Sequence, residues 1–363
     1  MTILTQYIKF LYEAKLNLVS SCYNLFKFLK DDKMNDEFYM DLAINEAWKY
    51  QILTYPNPAV GCVICDKFGK ILSIQAHKEA GFAHAELNAV ISALKCLNKD
   101  LNFPSDVKKA YEYAILNHNN LLEGASAYVT LEPCAHYGKT PPCANLLKEL
   151  KFKKVVIGSN DDTKEASGGE EILKKANINV IKGVLKQRCD ELLAPFLAWK
   201  NGNFSFFKLA ASLNGVISGG IITSDSSRKM VHALRDKISL LAIGGNTVRI
   251  DRPLLDARLV DGKAPDIFIY SKQDNFDKNI PLFNVKNRKV IIGQDINFIK
   301  NYNICMIEGG ENFLKNLPDF VEYILIFFSM NCIDEINFSL NLKLKPLYFG
   351  KIDEERYGWF KRI

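Results

Sequence analysis

The run Tyr128-Val129-Thr130-Leu131-Glu132-Pro133-Cys134-Ala135-His136-Tyr137-Gly138-Lys139-Thr140-Pro141-Pro142-Cys143 leaves an apolar strand, carries two cysteines through a loop and enters a helix started by prolines. Upstream of it stands His84-Ala85-Glu86. Ala125–Leu131 reads as the strand, and Pro141-Pro142 sits where the helix over Cys143–Leu150 begins. One histidine and two cysteines supply three zinc ligands. A structural zinc site usually closes four protein ligands around the ion, whereas a catalytic one supplies three and leaves a position for water. Zinc lowers the pKa of that water towards ~7. A carboxylate close to the ion but not bound to it can then move the proton. His84, Cys134 and Cys143 are therefore the predicted metal ligands, and Glu86 the predicted proton shuttle. Both cysteines lie near predicted helix starts, where backbone N–H groups and the helix dipole favour thiolate.

Working outward, Asp36–Gln51 has helical periodicity, and Tyr55-Pro56-Asn57-Pro58 is a turn that two prolines keep from being helical. Ala59–Cys65 and Ile71–Ala76 are strand candidates joined by the turn Lys67-Phe68-Gly69-Lys70. A helix runs from near His84 towards Leu97. Val155–Gly158 is a strand, Glu170–Ala176 a helix and Asn179–Lys182 a strand. Such alternation argues an α/β layered domain. Lys186–Trp199 reads as a connecting helix, and Gly202-Asn203 breaks the pattern. A second alternating series follows over Phe204–Ala211, Ser226–Lys237, Ser239–Ile243, Ile267–Tyr270, Val290–Ile292, Ile304–Ile307 and Tyr323–Phe328. The expected organisation is an N-terminal extension over 1–33, a domain carrying the zinc ligands over 34–185, a linker helix over 186–202 and a second α/β domain over 203–363.

The bulk properties agree with two soluble domains. The chain has 363 residues, 48% hydrophobic and 24% charged, with a formal net charge of +6. That charge suits an anionic substrate or cofactor and does not demand nucleic acid. Nine cysteines, an odd number, and no apolar run of the ~18 residues that span a bilayer point to a cytoplasmic protein with reduced thiols and no membrane association. In residues 1–33, apolar positions recur at helical spacing, which reads as a packed extra helix or an upstream extension. Cys62 and Cys65 form a C-x-x-C, but positions three apart on a strand face opposite ways, so they read as buried small residues. His118 and His232 read as ordinary surface or helix residues.

The run Pro56-Asn57-Pro58-Ala59-Val60-Gly61-Cys62-Val63-Ile64, the His84-Ala85-Glu86 triplet and the stretch from Tyr128 to Cys143 closely resemble the bifunctional deaminase/reductase family of riboflavin biosynthesis. The eight residues between Cys134 and Cys143 are specific to this kind of deaminase. Matching pieces continue through Lys208–Gly215, Ile222-Thr223-Ser224, His232–Arg235, Gly244–Val248, Asp251–Pro253 and Ile307–Gly310. The resemblance implies a cytidine-deaminase-like three-layer domain followed by a dihydrofolate-reductase-like α/β domain. It implies Zn2+ and NADPH as cofactors, and a diaminopyrimidinone ribosylamino 5-phosphate that loses its ring 2-amino group before its ribosyl group is reduced to ribityl. Asn57, His77, His136 and Lys139 are then expected at the deaminase substrate. Arg235, Leu255, Arg258 and Glu308 are expected at the reductase substrate, the two arginines holding phosphate. Ala210, Ile221, Thr247, Asp251, Ser271 and Gly310 are expected at the cofactor. A homo-oligomer is the expected assembly.

The chain departs from the family where Ile221 replaces a tryptophan, Asn214 replaces an aspartate and Ser329–Asp334 lacks a Pro-Leu-Leu-Gly-like turn. Two other readings compete. A nucleoside, tRNA or nucleobase deaminase with a divergent C-terminal domain predicts no NADPH binding. A zinc-stabilised nucleic-acid-binding module predicts a fourth protein ligand and no turnover.

Overall fold

The computed structural model of the protein describes residues 32–138, 141–161, 168–218, 220–336 and 341–363. Residues 1–31 of the expected N-terminal extension, and Lys139, lie outside these. The chain divides into two compact units. One is built mainly from Val60–Gln75 and Ala85–Lys186, with residues 32–44; the other comprises Gln187–Ile363 with Asn45–Ala59 and Ala76–His84.

The first unit holds a five-stranded sheet of β1 (Gly61–Cys65), β2 (Ile71–Ala76), β3 (Ser126–Leu131), β4 (Lys154–Ser159) and β5 (Asn179–Lys182), in the order β2-β1-β3-β4-β5. β1 is antiparallel to β3, while β3, β4 and β5 run parallel. Helices α1 (Asp32–Trp48), α2 (Ala85–Leu97), α3 (Val107–Asn117), α4 (Cys143–Glu149) and α5 (Gly169–Lys175) complete the series. Every residue of β1 is buried, as expected of a strand covered on both faces. Its start approaches α1 so closely that a Cβ on Gly61 would lie 1.9 Å from the Ala43 carbonyl oxygen. Cys62 and Cys65 diverge as their spacing predicts. Burial and the Glu86 carboxylate push the Cys62 thiol up, whereas burial and Asp66 raise Cys65 to about 12. Neither is poised for redox chemistry.

The second unit opens with α6 (Lys186–Lys200), which coincides with the expected connecting helix, and then forms an eight-stranded sheet. Its strands are β6 (Phe204–Ala211), β7 (Leu240–Gly244), β8 (Asp266–Tyr270), β9 (Val290–Gly293), β10 (Ile304–Glu308), β11 (Tyr323–Phe328), β12 (Leu344–Ile352) and β13 (Glu355–Arg362), ordered β12-β13-β11-β6-β10-β7-β8-β9. From β11 to β9 all neighbours are parallel, and β12–β13 is an antiparallel hairpin against β11. The near-continuous burial of Phe204–Phe207 follows from the central place of β6. Helices α7 (Asp225–Lys237), α8 (Gly245–Asp251) and α9 (Glu311–Lys315) lie among these strands in the chain. Within this unit Trp48 stacks on Tyr348 at 6.4 Å and packs on Trp359 at 6.2 Å.

α3, α8, α9 and the β12–β13 hairpin go beyond the elements that the sequence pattern predicts. α3 has only three buried residues, which weakens its apolar stripe, and β12 is mostly half-exposed, so its hydrophobic alternation is faint. Asn214 accounts for one departure from the family. Its Oδ1 accepts from the Ile333 N–H at 3.1 Å and its Nδ2 donates to the Ile333 carbonyl at 2.8 Å. A carboxylate could make only the first bond.

Gly61→Ala is expected to lower the unfolding free energy by about 3 kcal/mol, the upper range for overpacking. Urea denaturation followed by tryptophan fluorescence and by circular dichroism measures it. A loss below about 1 kcal/mol would mean that α1 can move off β1.

Candidate functional site

The first candidate site is made by three chain segments. His84 immediately precedes α2, Cys134 lies in the loop after β3, and Cys143 is the first residue of α4. Their ligand atoms lie within 4.8 Å of one another. Among the described residues no further histidine, cysteine, aspartate or glutamate joins this group. The arrangement is the three-ligand kind rather than the closed four-ligand kind.

The two cysteines are held by the backbone and by their neighbours. The Cys143 N–H donates to the Cys134 sulfur at 3.4 Å, an interaction that favours thiolate. Tyr111 Oη donates to the Pro142 carbonyl at 3.1 Å and fixes the start of α4. Glu132 is buried, and its Oε1 accepts from the N–H groups of Gly168 and Glu170 at 3.2 and 3.0 Å. This carboxylate caps α5 and ties it to the loop that carries Cys134. The approach is so close that a Cβ on Gly169 would lie 1.8 Å from the Pro133 carbonyl oxygen. Neither role was visible in the sequence, because the contacts join positions more than 30 residues apart.

Glu86 sits buried in the first turn of α2. A hydrogen bond to Cys134, burial and then the Glu86 carboxylate push the Cys143 thiol well above its ordinary value. Two thiols and a carboxylate crowded in one buried spot repel as anions, and a divalent cation relieves that crowding. The donor set thus fits zinc.

Asn57 and His77, both expected at the substrate, meet. Asn57 Nδ2 lies 3.0 Å from His77 Nε2, and His77 Nδ1 lies 3.0 Å from the Ala83 carbonyl oxygen. A neutral imidazole protonated on Nδ1 satisfies both, donating to Ala83 and accepting from the Asn57 amide. Burial holds the His77 pKa below its ordinary value, in accord with that form. The His77 ring meets the His84 ring edge-on at 5.5 Å, so the pair lies beside a predicted metal ligand. His136 is exposed, and the structure does not bring it into this group.

The second candidate site is a cleft of about 1610 Å³ at the carboxyl ends of β6, β7 and β10, the position where open parallel sheets bind ligands. Arg235, Leu255, Arg258 and Glu308 all line it. So do Ala210, Ile221, Thr247, Asp251, Ser271 and Gly310. Six cations line the cleft (Lys208, Arg228, Arg235, Arg249, Arg258 and Lys272) against the carboxylates of Asp251, Glu308 and Glu311, a balance that suits phosphates. The volume exceeds the ~300–1,000 Å³ of ordinary ligand pockets. A Cβ on Gly310 would meet nothing within 4 Å, so the turn after β10 is open to a ligand.

The arginines expected to hold phosphate are already engaged. Arg235 Nη2 donates to Glu308 Oε1 and Oε2 at 3.0 and 3.2 Å, and Nη1 to the Asp256 carbonyl at 3.3 Å. Its buried Nε has no partner. Arg258 Nη1 donates to Asp256 Oδ1 at 2.5 Å. Guanidinium carries five donors, so each can still reach a ligand, but Glu308 and Asp256 orient them first. Lys208 also lines the cleft; burial lowers its pKa, while Glu308 supports its charge.

Two further residues support the cleft without having been assigned to it from the sequence. Arg288 donates to the carbonyls of Leu255, Leu254 and Leu282 at 2.8, 2.8 and 2.5 Å, fixing the loop in which Leu255 has φ +56°. Burial lowers its pKa to about 10. His232 lies on α7, as its sequence context suggested, but it is buried and lines the cleft. Burial and the cations Arg235 and Arg258 lower its pKa to about 4.

Comparison with known proteins finds relatives for both parts of the chain. Residues 33–159 match the family model described as the cytidine and deoxycytidylate deaminase zinc-binding region, and residues 204–313 match the RibD C-terminal domain. The riboflavin biosynthesis protein RibD of Aquifex aeolicus is 29% identical, with 90% of this chain and 98% of that protein aligned. The chain belongs to the RibD family. RibD of Actinobacillus pleuropneumoniae is 38% identical over 240 residues, 64% of this chain. That alignment spans 57% of the Actinobacillus protein, and the one with Bacillus amyloliquefaciens RibD spans 56% of its partner. The crystal structure of a diaminohydroxyphosphoribosylaminopyrimidine deaminase/5-amino-6-(5-phosphoribosylamino)uracil reductase from Thermotoga maritima matches with a TM-score of 0.58 and 26% identity, covering 92% of this chain and all of that one. Like other RibD chains, this one joins a cytidine-deaminase-like part to a dihydrofolate-reductase-like part.

His232 generates a pH prediction. Its folded pKa of about 4 lies below the ordinary 6.5, so the fold favours the neutral ring. Its contribution to stability is full above pH 6.5 and is lost as pH falls from 6.5 to 4, where the unfolded chain takes up a proton that the folded one refuses. Urea midpoints should fall across this window, and less steeply in His232→Asn. Parallel curves for the two proteins would show that His232 titrates normally.

Proposed function

We propose that this chain is a bifunctional enzyme of riboflavin biosynthesis. It removes the ring 2-amino group of 2,5-diamino-6-ribosylamino-4(3H)-pyrimidinone 5-phosphate by zinc-dependent hydrolysis, and then reduces the ribosyl group of the product to ribityl with NADPH. The observation that carries this reading is the three-member cluster of His84, Cys134 and Cys143 beside the buried Glu86, in one chain with a cationic cleft that gathers every residue expected of the reductase.

In the deaminase, His84, Cys134 and Cys143 would hold the zinc. When bound, zinc supplies a water acidified to near neutrality. Glu86 takes a proton from that water and returns it to the leaving nitrogen, so a C–O bond replaces a C–N bond and ammonia departs. The neutral His77, held between Asn57 and Ala83, keeps the Asn57 amide oriented, leaving that amide's oxygen free to accept from the pyrimidinone. His136 and Lys139, on the loop between the cysteines, would meet the ribosyl phosphate.

In the reductase, Ala210, Ile221, Thr247, Asp251, Ser271 and Gly310 would seat NADPH, which supplies the hydride. Glu308, fixed by the Arg235 fork, accepts from the substrate's sugar hydroxyls. Arg235 and Arg258 keep donors for the phosphate, and the Lys208 ammonium offers a proton or hydrogen bond to a sugar oxygen near Glu308. The setting we infer is cytoplasmic. It suits eight described cysteines that form no disulfide and described helices of which none is long and apolar enough to cross a membrane. An assembly of identical chains, with no nucleic acid or membrane partner, completes the reading.

Two variants test it. Glu86→Gln should lower ammonia release without NADPH by about 10²–10⁴-fold while one zinc per chain remains by metal analysis; retained turnover would exclude Glu86 as the proton carrier. Arg235→Ala should depress NADPH oxidation and leave ammonia release unchanged. Equal loss of both activities would contradict two separate sites.

A further inference from the structure

The start of α7 is held by a residue from the far end of the chain. Ser224 caps this helix, its Oγ accepting from the Ser227 N–H at 3.3 Å. Glu355, the first residue of β13, is buried against the same turn. Its Oε1 accepts from the Ser224 N–H at 2.9 Å, and its Oε2 accepts from the hydroxyls of Ser224 at 2.8 Å and Ser227 at 2.5 Å. Three donors thus converge on one carboxylate from positions 128 and 131 residues away in sequence. Among the described residues no lysine, arginine or histidine forms an ion pair with the Glu355 carboxylate. Its charge is balanced by these N–H and O–H groups and by the positive end of the helix.

The held segment is part of the cleft wall. Thr223, just before the cap, and Arg228, Val231, His232 and Arg235 on α7 all line the cleft. The register of the helix therefore decides where Arg228 and the Arg235 fork stand. β13 lies outside the residues matched by the family model of the second domain, and the two serines that the Glu355 carboxylate holds are not among the residues assigned to either site. We propose that Glu355 is a positioning residue for the cleft. It anchors the first turn of α7, so that Thr223 and the cations of α7 meet an anionic substrate in register. This rests on the reading of the cleft as the reductase site.

The experiment uses the full-length zinc-loaded protein. Reductase kcat and KM, ammonia release and amide hydrogen exchange are measured for Glu355→Gln and Ser227→Ala. Glutamine offers one acceptor where three donors point. In Glu355→Gln, KM for the phosphorylated uracil should rise by about tenfold or more with a smaller change in kcat, ammonia release should stay within about twofold, and amides of 225–231 should exchange faster. Ser227→Ala should shift KM in the same direction but less. A lower melting temperature with unchanged KM and kcat would make the cap merely structural and overturn the inference. If Glu355→Gln does not fold, an unchanged KM in Ser227→Ala overturns it. Absence of NADPH oxidation by the unmodified protein would instead sink the reductase reading, and unchanged amide exchange in the variants would then still overturn the anchoring role.

Discussion

The N–H of Cys143 points at the sulfur of Cys134, and the first unit is organised around keeping it there. That bond requires α4 to start at Cys143 and the loop after β3 to turn back upon it. Tyr111 secures the first condition through the Pro142 carbonyl, and Glu132 secures the second by capping α5. Gly169 lets α5 come close enough for that cap to form. A metal cluster drawn from separate segments is only as exact as the packing behind it. Here the packing consists of hydrogen bonds to backbone atoms, which do not change rotamer.

The cleft of the second unit uses charge differently. Its cations and carboxylates neutralise one another in chains: Arg235 with Glu308, Arg258 with Asp256, and Lys208 near Glu308. Arg235 and Glu308 are both largely buried, so a variant that removes one partner leaves an uncompensated charge, which is costly. The pairing also pre-orients the donors. A phosphate entering such a site finds guanidinium groups already fixed in place, and less ordering is required on binding. The low pKa of His232 belongs to the same design, because a further cation on α7 beside Arg235 would disturb the balance.

The metal ligands, Glu86 and the members of the cleft were legible because their chemistry is written locally, as short runs beside strand ends. Parallel sheets bring the carboxyl ends of their strands to one edge, so residues after β6, β7 and β10 meet without any pairwise information in the sequence. What stayed hidden is of another kind. Glu132, Arg288 and Glu355 act through hydrogen bonds to partners at least six, and mostly more than 30, residues away. No periodicity or spacing marks an arginine that will hold three carbonyls. The burial of His232 is hidden for the same reason, since it is decided by α7 lining the cleft and not by its neighbours in sequence.

The divergent positions of the reductase part show how a family fold absorbs change. Asn214 in place of aspartate and the loop over Ser329–Asp334 in place of a tight turn look like independent losses in the sequence. In the fold they face each other. The Asn214 amide makes a two-bond pair with the backbone of Ile333, the Leu213 N–H donates to the Asn331 carbonyl at 2.9 Å, and the Ser329 N–H donates to Ala211 at 2.9 Å. Together these contacts extend the pairing of β6 with β11 past the ends of both strands. Aspartate at 214 would present an acceptor to the Ile333 carbonyl and repel it, so this loop requires the asparagine. The two departures are therefore one coupled change, and it leaves the cleft-lining Lys208 and Ala210 on a strand as well supported on that side as pairing can make it.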